Sequence, residues 1–374
     1  MNKTVIKAEV VADSLSIKGD RLTSLKITFP RIILAEVNTH RMLSKNTSSS
    51  RAIPFKKMVE SVENDPFIPI AWQKEHKGMQ GTEYITDKRH YNLAIGTWLM
   101  ARDEAVKRAS ELNSGLAKLL PNGESKVLTN IGVTKQLVNR LLEPFMWTTM
   151  LITGSKEGWN NFFKLRCPQY TMGTSDGFYK SRKDLLKAYP ANKSVLDVDL
   201  YWLSLNKGQA EIHMMDLAEK VYDAMNESTP KQLKSGEWHI PFEDNIDLIS
   251  WLDIVNDDGH LDGDLDEQDR LFIIDKVKIS TAMAARESYT VVGNEKNIDY
   301  QKQLELHDRL ISQNPPHSSP LEHCNRAMTD EEYESFIKGN VDIGFDIPKD
   351  TQGWCNNIKG FIPYRYMIDN NLKM

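Results

Sequence analysis

At Pro30 the sequence changes from a pattern typical of strands to one that favours a helix, and this change constrains how the N-terminal region can fold. Residues 4–30 are predicted to form a β-hairpin, with Gly19 and Asp20 in the connection between its strands. Proline suits the first turn of a helix, because its φ is already helical and its missing N–H is not needed there. We therefore predict that a helix opens at Pro30 and that the apolar segment 32–37 leads into the polar residues that follow.

Those polar residues are predicted to form a loop that is rich in hydrogen-bond donors. The loop begins at His40 and Arg41 and closes on Arg51. It contains five hydroxyl side chains, which are those of Ser44, Thr47, Ser48, Ser49 and Ser50. A phosphate group needs such donors, because several of them must converge on one dianion. A solvated Ser/Thr turn after a helix would have the same composition, so composition alone does not choose between the two interpretations.

The overall composition is that of an ordinary globular protein. The chain has 374 residues, of which 40% are hydrophobic and 26% are charged. This length allows either two domains or one large one. The formal net charge of −5 argues against non-specific binding to DNA or RNA, although a local basic site is compatible with it. We therefore expect no nucleic acid polymer among the partners.

The cysteines and the N-terminal sequence indicate a reducing compartment. Cys167, Cys324 and Cys355 are far apart and odd in number, so they suggest neither a disulfide framework nor a zinc site. The N-terminal residues lack the apolar core of a signal peptide. No stretch of the sequence reaches the roughly 18 apolar residues of a membrane helix. These features predict a cytoplasmic protein without membrane contact.

Periodicity predicts most of the remaining secondary structure. Ala94, Trp98 and later alanines recur at helical spacing, so residues 89–113 are predicted to form an amphipathic helix. Residues 145–153 are rich in aromatic and β-branched side chains and are predicted to form a strand. Residues 167–206 have no strong period, and we interpret them as an insertion. Further helices are predicted at 132–142, 154–166, 209–225, 268–287 and 299–313.

The acidic stretch 257–269 has two interpretations. Four of its residues stand near the positions used in a calcium-binding loop, namely Asp258, Asp262, Gly263 and Asp269. His260 at the third position and an Asp at the last position depart from that pattern, so a solvated acidic turn is the alternative. We predict no metal site elsewhere.

The polar loop resembles the signature of flavin-dependent thymidylate synthases, which reads Arg-His-Arg, seven residues, Ser, Gly, Arg. Here His40 and Arg41 are followed by seven residues and then by Ser49, Ser50 and Arg51. Thr39 stands in place of the first Arg. The resemblance implies that Thr39, His40 and Arg41 hold the flavin. It also implies that the end of the loop cradles the phosphate of a nucleotide, through Thr47, Ser48, Ser49, Ser50 and Arg51.

A second part of the resemblance lies in the middle of the chain. The segment 132–144 is similar to a family helix with a nucleotide-contacting Arg four residues before a Pro, which makes Arg140 that residue. The segment 159–166 resembles the family's Asn-Phe-Leu-x-Leu-Arg, which makes Asn161 a flavin contact and Arg166 the residue that polarises the base. A fixed cation near O2 and N3 of a pyrimidine stabilises negative charge as the ring is activated. Without the resemblance, a surface ion pair at a helix end is the alternative for Arg166.

A third part of the resemblance follows further along the chain. Residues 315–323 resemble the family's His-x-Thr-Pro-Phe-Glu-His segment, which implies flavin contacts by His317, Ser319 and Glu322. Residues 281–288 resemble the Ala-Ala-Arg-x-Ser helix end, which implies another contact by Ser288. Without the family, Ser319 and Pro320 are explained as a helix start in which Ser319 is the cap.

The order of these blocks differs from the order in the family. There, the counterparts of 281–288 and 315–323 come before the Arg-His-Arg block, whereas here they come after it. Each block remains collinear internally, and three matches are hard to ascribe to chance. The simplest explanation is a circular permutation, which proteins tolerate when the original termini lie close together at the surface.

The resemblance implies a fold, a set of cofactors and a reaction. The fold would be α+β, a single mixed helix and antiparallel-sheet domain over 1–374, circularly permuted, with the insertion 167–206 and with 227–267 and 324–374 unmatched. The protein would be a homotetramer whose active sites are shared between subunits. It would bind FAD, use NADPH as reductant and transfer one carbon from methylenetetrahydrofolate to C5 of dUMP, giving dTMP. In such an enzyme the flavin carries the chemistry, while the protein orients the partners.

Two departures from the family concern the substrate. Glu36 occupies the position of a Gln near the base, and Thr47 replaces a Glu. An ionised carboxylate cannot donate a hydrogen bond, but it can accept one from the exocyclic amine of cytosine. Flavin-dependent hydroxymethylation of dCMP or dUMP at C5 is therefore the alternative reaction. An alternative of another class is a flavin- or nucleotide-binding protein without one-carbon transfer, which Thr39 in place of Arg supports.

Overall fold

The computed structural model of the protein describes residues 3–77, 81, 83–115, 117–121, 125–127, 129–173, 177–190, 201–257, 265–289, 299–338 and 350–374. The α-helices within these residues are α1 (Leu34–Asn38), α2 (Phe55–Asn64), α3 (Lys88–Ser114), α4 (Lys135–Val138), α5 (Lys156–Arg166), α6 (Arg182–Ala188), α7 (Tyr201–Leu205), α8 (Ile212–Glu227), α9 (Leu248–Asp257), α10 (Leu265–Arg286), α11 (Tyr300–Ser312), α12 (Asp330–Ser335) and α13 (Tyr364–Asp369). The strands are β1 (Lys7–Leu15), β2 (Arg21–Pro30), β3 (Ser44–Thr47), β4 (Ala117–Leu119), β5 (Ser125–Val127), β6 (Trp147–Ser155), β7 (Lys231–Gln232), β8 (Trp238–His239), β9 (Asn325–Ala327), β10 (Trp354–Cys355), β11 (Ile358–Lys359) and β12 (Phe361–Pro363). Short 3₁₀ helices cover Arg31–Ile33, Asn139–Phe145, Glu243–Asn245, Glu287–Tyr289 and Ser319–Glu322.

The centre of the fold is a five-stranded sheet with the strand order β3-β6-β2-β1-β7. β1 and β2 form the predicted antiparallel hairpin, and β6 is the strand predicted at 145–153. β2 pairs with β6 from Leu22 opposite Ser155 to Pro30 opposite Trp147. The strand pairs of this sheet are antiparallel, apart from the short parallel contact between β1 and β7. The mixture of helices with an open antiparallel sheet agrees with the predicted α+β class.

One face of the sheet is apolar and carries the main core. Leu25, Ile27 and Phe29 alternate along β2 and therefore point to the same face, where none of them is more than 1% exposed. They belong to a cluster that includes Trp159 of α5 and Leu217 of α8. Burying a side chain of this size contributes about 1.5–3 kcal/mol, so this face is a major source of stability.

The opposite face is more polar and contacts the C-terminal half of the chain. Ser24 and Thr153 lie side by side there, with their hydroxyl oxygens 2.6 Å apart. His239 of β8 hydrogen-bonds to Ser24, and His323 hydrogen-bonds to Thr153, each over 2.8 Å. All four side chains are buried. The two histidines thus connect the later segments of the chain to the central sheet.

The predicted helices are present, with differences at their ends. The helix predicted at 89–113 is α3, and its cap Asp87 accepts a hydrogen bond from the N–H of His90. Pro30 precedes a 3₁₀ turn that leads into α1, as the sequence predicts. The helix predicted at 132–142 is divided into α4 and a 3₁₀ helix that contains Pro144, because proline removes an α-helical hydrogen bond. The other predicted helices correspond to α5, α8, α10 and α11.

One prediction about the polar loop is wrong. Residues 44–47 were expected in a loop, but they form β3, which pairs with β6. Ser44 and Asn46 are buried, and they alternate with the half-buried Lys45 and Thr47 as in a strand. Lys and Asn are depleted in strands, so the pairing with β6 is what makes this segment a strand.

Part of the region interpreted as an insertion is tied to α8 by buried polar contacts. Arg182 donates from Nε to Glu219 and from Nη2 to Asp216, each over 2.9 Å. The hydroxyl of Tyr170 donates to the same Glu219 at 3.0 Å, and the Arg182 guanidinium stacks over Trp202. These contacts anchor the described part of 167–206, and its interpretation as an insertion stays a prediction.

Two further predictions concern a membrane helix and the acidic stretch 257–269. No helix among the described residues is long and apolar enough to cross a membrane. Asp269 of the acidic stretch lies within α10. Asp258, His260, Asp262 and Gly263 lie outside the described residues, so the two interpretations of that stretch both stay predictions.

Candidate functional site

Strand β3 stands between two groups of elements, because alternate side chains of a strand point to opposite faces of the sheet. Lys45 lies opposite Ile152 of β6 and shares the apolar face with α5. Asn46 lies opposite Leu151 and shares the other face with α10 and the 3₁₀ helix Ser319–Glu322. The three sequence blocks that carry the resemblance therefore meet along this strand, and these blocks are 38–51, 132–166 and 281–323.

On the apolar face, the predicted catalytic arginine is bound by two residues of the first block. Arg166 donates a hydrogen bond from Nε to Nε2 of His40 at 3.0 Å, and from Nη2 to Oγ1 of Thr39 at 3.3 Å. His40 is only 5% exposed, and its ring lies edge-on to Phe162 with the ring centroids 4.8 Å apart. Within the described residues the hydrogen-bond partners of Arg166 are neutral. It therefore does not form the surface ion pair that was its alternative role.

His40 is neutral at physiological pH. Burial first, and then the charges of Arg166 and Lys45, lower the pKa of His40 from 6.5 to about 4. Because Nε2 accepts the hydrogen bond from Arg166, the ring proton is assigned to Nδ1. Lys45 donates from Nζ to the backbone carbonyl of His40, so two cations contact this one residue. His40 was predicted to contact the flavin, but its Nε2 is engaged in orienting Arg166.

On the opposite face, Asn46 joins the first block to the third. Its Oδ1 accepts hydrogen bonds from the hydroxyls of Ser319, at 2.9 Å, and Ser288, at 3.4 Å. Its Nδ2 donates to the carbonyl oxygen of Ala284. The backbone adds a further link, because the N–H of Ser49 donates to the carbonyl oxygen of Ser288 at 2.9 Å. Asn46 is 4% exposed, and a buried amide with its hydrogen bonds satisfied is strongly fixed in position.

Ser319 has a tertiary role and does not cap a helix. The 3₁₀ helix begins at Ser319 itself, its cap position is Ser318, and no side chain caps it. The alternative in which Ser319 acts as the cap is therefore wrong, although Pro320 does lie in the first turn. The Ser319 hydroxyl instead reaches Asn46, which lies 273 residues earlier in the chain.

Two of the hydroxyls predicted to hold a phosphate are used within the protein. Ser48 Oγ lies 2.6 Å from Oγ1 of Thr148, and Ser50 Oγ donates to Oε1 of Glu143 at 2.5 Å. Both serines are buried. Glu143 is also paired with Arg31, with 3.1 Å between Oε1 and Nε. The hydroxyls of Ser48 and Ser50 therefore stabilise the loop instead of presenting donors to a ligand.

The two arginines predicted to bind the phosphate are exposed on neighbouring segments. Asn139 donates from Nδ2 to the carbonyl oxygen of Ser50 at 2.7 Å. This bond places the 3₁₀ helix that carries Arg140 against the end of the loop that carries Arg51, and both arginines are exposed. Lys135 adds a third cation, because its Nζ donates to the backbone of the same loop at 2.8 Å. Accessible cations of this kind suit a phosphate group.

The remaining predicted residues differ in their burial and in whether the protein itself binds their side chains. Glu322 is half-buried and forms an ion pair with Arg365. Thr47 and Ser49 are half-buried. Three predicted flavin contacts have exposed side chains, and these are Arg41, Asn161 and His317. The exposed residues remain accessible to a bound group, whereas the buried ones are held by the protein.

Glu36 carries an acceptor atom that no described residue of the protein uses. Its Oε2 is buried and has no hydrogen-bond partner in the described part of the chain. Its carbonyl oxygen accepts from the hydroxyl of Thr39 at 2.6 Å, and Thr39 in turn contacts Arg166. A buried carboxylate oxygen without a donor costs free energy, so a donor on a bound ligand would stabilise this residue.

A groove of about 1170 Å³ lies elsewhere, along β1 and α8. Its lining includes Lys7, Lys26 and Arg182, and it includes none of the residues predicted for the site. On a single chain the candidate site therefore lies outside this groove. It consists of side chains around β3, some of which are exposed to solvent.

Sequence reasoning missed two residues that organise this site, Asn46 and Lys45. Both lie inside the block that was singled out, between His40 and Arg51. The signal that could have found them is the period-2 pattern of a strand, which separates the two side chains onto opposite faces.

Comparisons with known proteins give a limited result. No protein-family model matches the sequence, and no curated protein matches it either. The solved structures that it resembles include enzymes that modify pyrimidine nucleotides.

These structures are similar to the chain only at low identity. The UMP/dUMP methylase PolB from Streptomyces cacaoi, bound with 5-Br dUMP, is 11% identical with a TM-score of 0.33, over 52% of this chain and 92% of that chain. Its complex with 5-Br UMP gives 13% identity and a TM-score of 0.32, over 61% and 98%. Thymidylate Synthase X from Helicobacter pylori, with FAD and dUMP, gives 13% identity and a TM-score of 0.26, over 55% and 67%. At these values the likeness assigns neither a family nor an activity to this chain.

Proposed function

We propose that this protein is a flavin-dependent enzyme that transfers one carbon from methylenetetrahydrofolate to C5 of a pyrimidine deoxynucleotide, with dUMP as substrate and dTMP as product. The observation that carries the proposal is the convergence of three separate sequence blocks on β3. Arg166 is bound by Thr39 and His40, while Ser288 and Ser319 are bound by Asn46. Each block resembles the same family through its own residues. The hydrogen bonds that join the blocks are an observation separate from those resemblances.

The residues predicted to contact a flavin fit that group in part. Arg41, Asn161 and His317 are exposed and offer a guanidinium, an amide and an imidazole, which suit the polar groups of FAD. His40, Ser288 and Ser319 are already hydrogen-bonded within the protein, so they position their neighbours. FAD would supply the redox chemistry, with NADPH as the reductant.

The nucleotide is proposed to lie between two groups of cations. Its phosphate would contact Ser49, Arg51 and Arg140, because these side chains are accessible and the neighbouring Ser48 and Ser50 hydroxyls are not. Its base would lie against Arg166, whose guanidinium is held in place before the substrate arrives. Preorganised donors of this kind act most strongly where charge develops in the transition state.

The cysteines fit a reaction that needs no thiolate nucleophile. Burial raises the pKa of Cys167 to about 12, that of Cys324 to about 11 and that of Cys355 to about 12. A thiol with such a pKa is almost entirely protonated at neutral pH and is a poor nucleophile.

We also propose that the chain is a circular permutation of the family's arrangement and acts as a homotetramer with shared sites. The blocks 281–288 and 315–323 follow the first block here, whereas their counterparts precede it in the family, and yet Asn46 bonds directly to Ser319. The open arrangement around β3 agrees with a site that another subunit completes.

The alternative without one-carbon transfer rests on Thr39, which in this structure retains a role by accepting a hydrogen bond from Arg166.

The unpartnered oxygen of Glu36 favours a second candidate substrate. A buried acceptor without a donor would pair with the exocyclic amine of cytosine and would oppose the O4 of uracil. The second candidate function is therefore C5 modification of dCMP, with hydroxymethylation as the alternative to methylation.

Product analysis tests these proposals directly. Purified protein would first be examined for the absorption spectrum of bound flavin. It would then be incubated with NADPH, methylenetetrahydrofolate and either dUMP or dCMP, and the nucleotides would be identified by mass spectrometry. A methylated or hydroxymethylated product supports one-carbon transfer and names the base. Bound flavin and nucleotide without any product would support the binding-protein alternative instead.

A further inference from the structure

We propose that Lys45 and Arg166 together form a binding site for an oxyanion of the substrate, with His40 between them. The proposal rests on the proposed function for the nature of that substrate, a pyrimidine nucleotide. It adds Lys45, a residue in the seven-residue spacer of the first block, to which the resemblance assigns no role.

Both cations contact the same residue. Lys45 donates from Nζ to the carbonyl oxygen of His40, and Arg166 donates from Nε to its Nε2 at 3.0 Å. Both side chains are half-buried, on the same face of β3. Two positive charges are thereby held against one residue, Lys45 at the backbone of His40 and Arg166 at its ring.

In the part of the chain that the structure describes, the hydrogen bonds of these two cations go to the carbonyl oxygen and Nε2 of His40 and to Oγ1 of Thr39, none of which belongs to a carboxylate. The acid that acts on Lys45 electrostatically is Glu322, and Glu322 is already paired with Arg365. Half-buried charges without a counter-ion cost free energy, since desolvation is not compensated. An anion bound between Lys45 and Arg166 would supply that compensation, so the arrangement favours an anionic ligand.

Proton uptake by the Lys45 amine would also reveal the binding of such a ligand. Burial lowers the pKa of Lys45 from 10.5 to about 8, and Glu322 opposes this shift. The charge that acts on Lys45 is that of Glu322, which pairs with Arg365, and Lys45 and Arg166 both lower the pKa of His40. A bound anion would raise the pKa of Lys45, so binding at pH 8.5 should take up roughly half a proton.

Two oxyanions of a nucleotide have the required chemistry. One is a ring oxygen that gains negative charge when the pyrimidine is activated, which agrees with a phosphate at Ser49, Arg51 and Arg140. The other is the phosphate group itself, which would then lie at Lys45 and Arg166 instead of at those three residues. Both are recognised by paired cations, and they are distinguished by ligands that contain only one of them.

The experiment is calorimetry on the full-length protein with inorganic phosphate, deoxyuridine and dUMP. Lys45→Met removes the charge and keeps the length of the side chain, whereas Lys45→Arg keeps the charge. Lys56→Met is the matched control, because Lys56 is 89% exposed on α2. Circular dichroism would show that each variant is folded.

We expect Lys45→Met to weaken dUMP binding, or to lower the rate of dUMP conversion, by about tenfold or more, as for loss of a charged hydrogen bond. Lys45→Arg should retain most of the affinity and rate, and Lys56→Met should equal the wild type. If the binding of phosphate and dUMP is weakened and that of deoxyuridine is not, the oxyanion is the phosphate, and proton uptake at pH 8.5, measured in two buffers of different ionisation heat, should disappear in Lys45→Met. If binding is unchanged and only the rate of dUMP conversion with NADPH and methylenetetrahydrofolate falls, the oxyanion is the ring oxygen, which becomes charged only as the pyrimidine reacts.

The failures of the two proposals are distinguishable. Equal dUMP affinity and an equal rate of dUMP conversion in Lys45→Met and wild type, with a loss of affinity in Arg51→Ala, would overturn the oxyanion site and leave the proposed function standing. Binding of inorganic phosphate that depends on Lys45, without binding of any nucleotide, would overturn the function and leave the site. A wild type that binds none of the three ligands would overturn both.

Discussion

Lowering the pH should destabilise the protein through two buried histidines on the polar face of the central sheet. His239 hydrogen-bonds to Ser14 through Nδ1 and to Ser24 through Nε2, each over 2.8 Å, and His323 hydrogen-bonds to Thr153 at 2.8 Å. The two rings are at most 1% exposed. Burial lowers the pKa of His239 from 6.5 to about 4 and that of His323 from 6.5 to about 3.

The direction of the effect follows from which state binds the proton. In the unfolded chain both rings are protonated below about pH 6.5, whereas in the folded protein they stay neutral until about pH 4 and pH 3. Their contribution is complete above pH 6.5 and is lost as the pH falls. One pKa unit corresponds to about 1.4 kcal/mol, so each histidine should remove about 2 kcal/mol from the free energy of unfolding between pH 6.5 and pH 5.

Urea denaturation between pH 7.5 and pH 5.0 measures this dependence. His323→Asn retains a polar group near the position of Nδ1 but has no titrating ring. Its free energy of unfolding should therefore depend on pH less steeply than that of the wild type, by about 1.4 kcal/mol per pH unit below pH 6.5. His76→Gln, at an exposed position, should keep the wild-type slope. Equal slopes in His323→Asn and wild type would refute the reasoning, because His323 would then bind protons alike in both states.

Three further predictions concern the candidate site. Arg51→Ala should weaken nucleotide binding in calorimetry by about 1.5–3 kcal/mol, the range for charged hydrogen bonds, and leave flavin bound; the exposed Arg89→Ala should change nothing, and an unchanged Arg51→Ala affinity would remove the phosphate assignment. Arg166→Ala should lower turnover about 10²–10³-fold while binding changes much less; an equal effect of the exposed Lys164→Ala, in the same helix, would show that helix damage is responsible. Glu36→Gln should shift preference from dCMP towards dUMP in product analysis; a wild type that converts only dUMP would exclude the cytosine alternative.

The arrangement around β3 shows how a short edge strand can organise a site. Its alternation directs Lys45 to one face and Asn46 to the other, and each contacts a different block of the sequence. Because β3 is held by pairing with β6, the positions of both side chains depend on the central sheet. A change in the register of β3 would exchange the two faces and separate the blocks.

Local patterns in the sequence predicted most of the secondary structure. The hairpin at 4–30, the helix α3 and the strand β6 were predictable because alternation, helical spacing and turn residues act between near neighbours in the chain. The assignment of the loop end with Arg51 to a phosphate stays a prediction, and Arg51 is exposed there. Residues 44–47 were not recognised as a strand, since their propensity is weak and their partner β6 lies about a hundred positions away.

The partners of the individual side chains were decided by the tertiary structure alone. The hydroxyls of Ser48 and Ser50 are consumed by Thr148 and Glu143, and His40 orients Arg166, although no local pattern predicts these pairs. A hydrogen bond requires two groups at a defined distance and angle, and that distance is set by how remote segments pack. The sequence alone could therefore nominate polar residues for a site, but only the fold determined which of them remain available to a ligand.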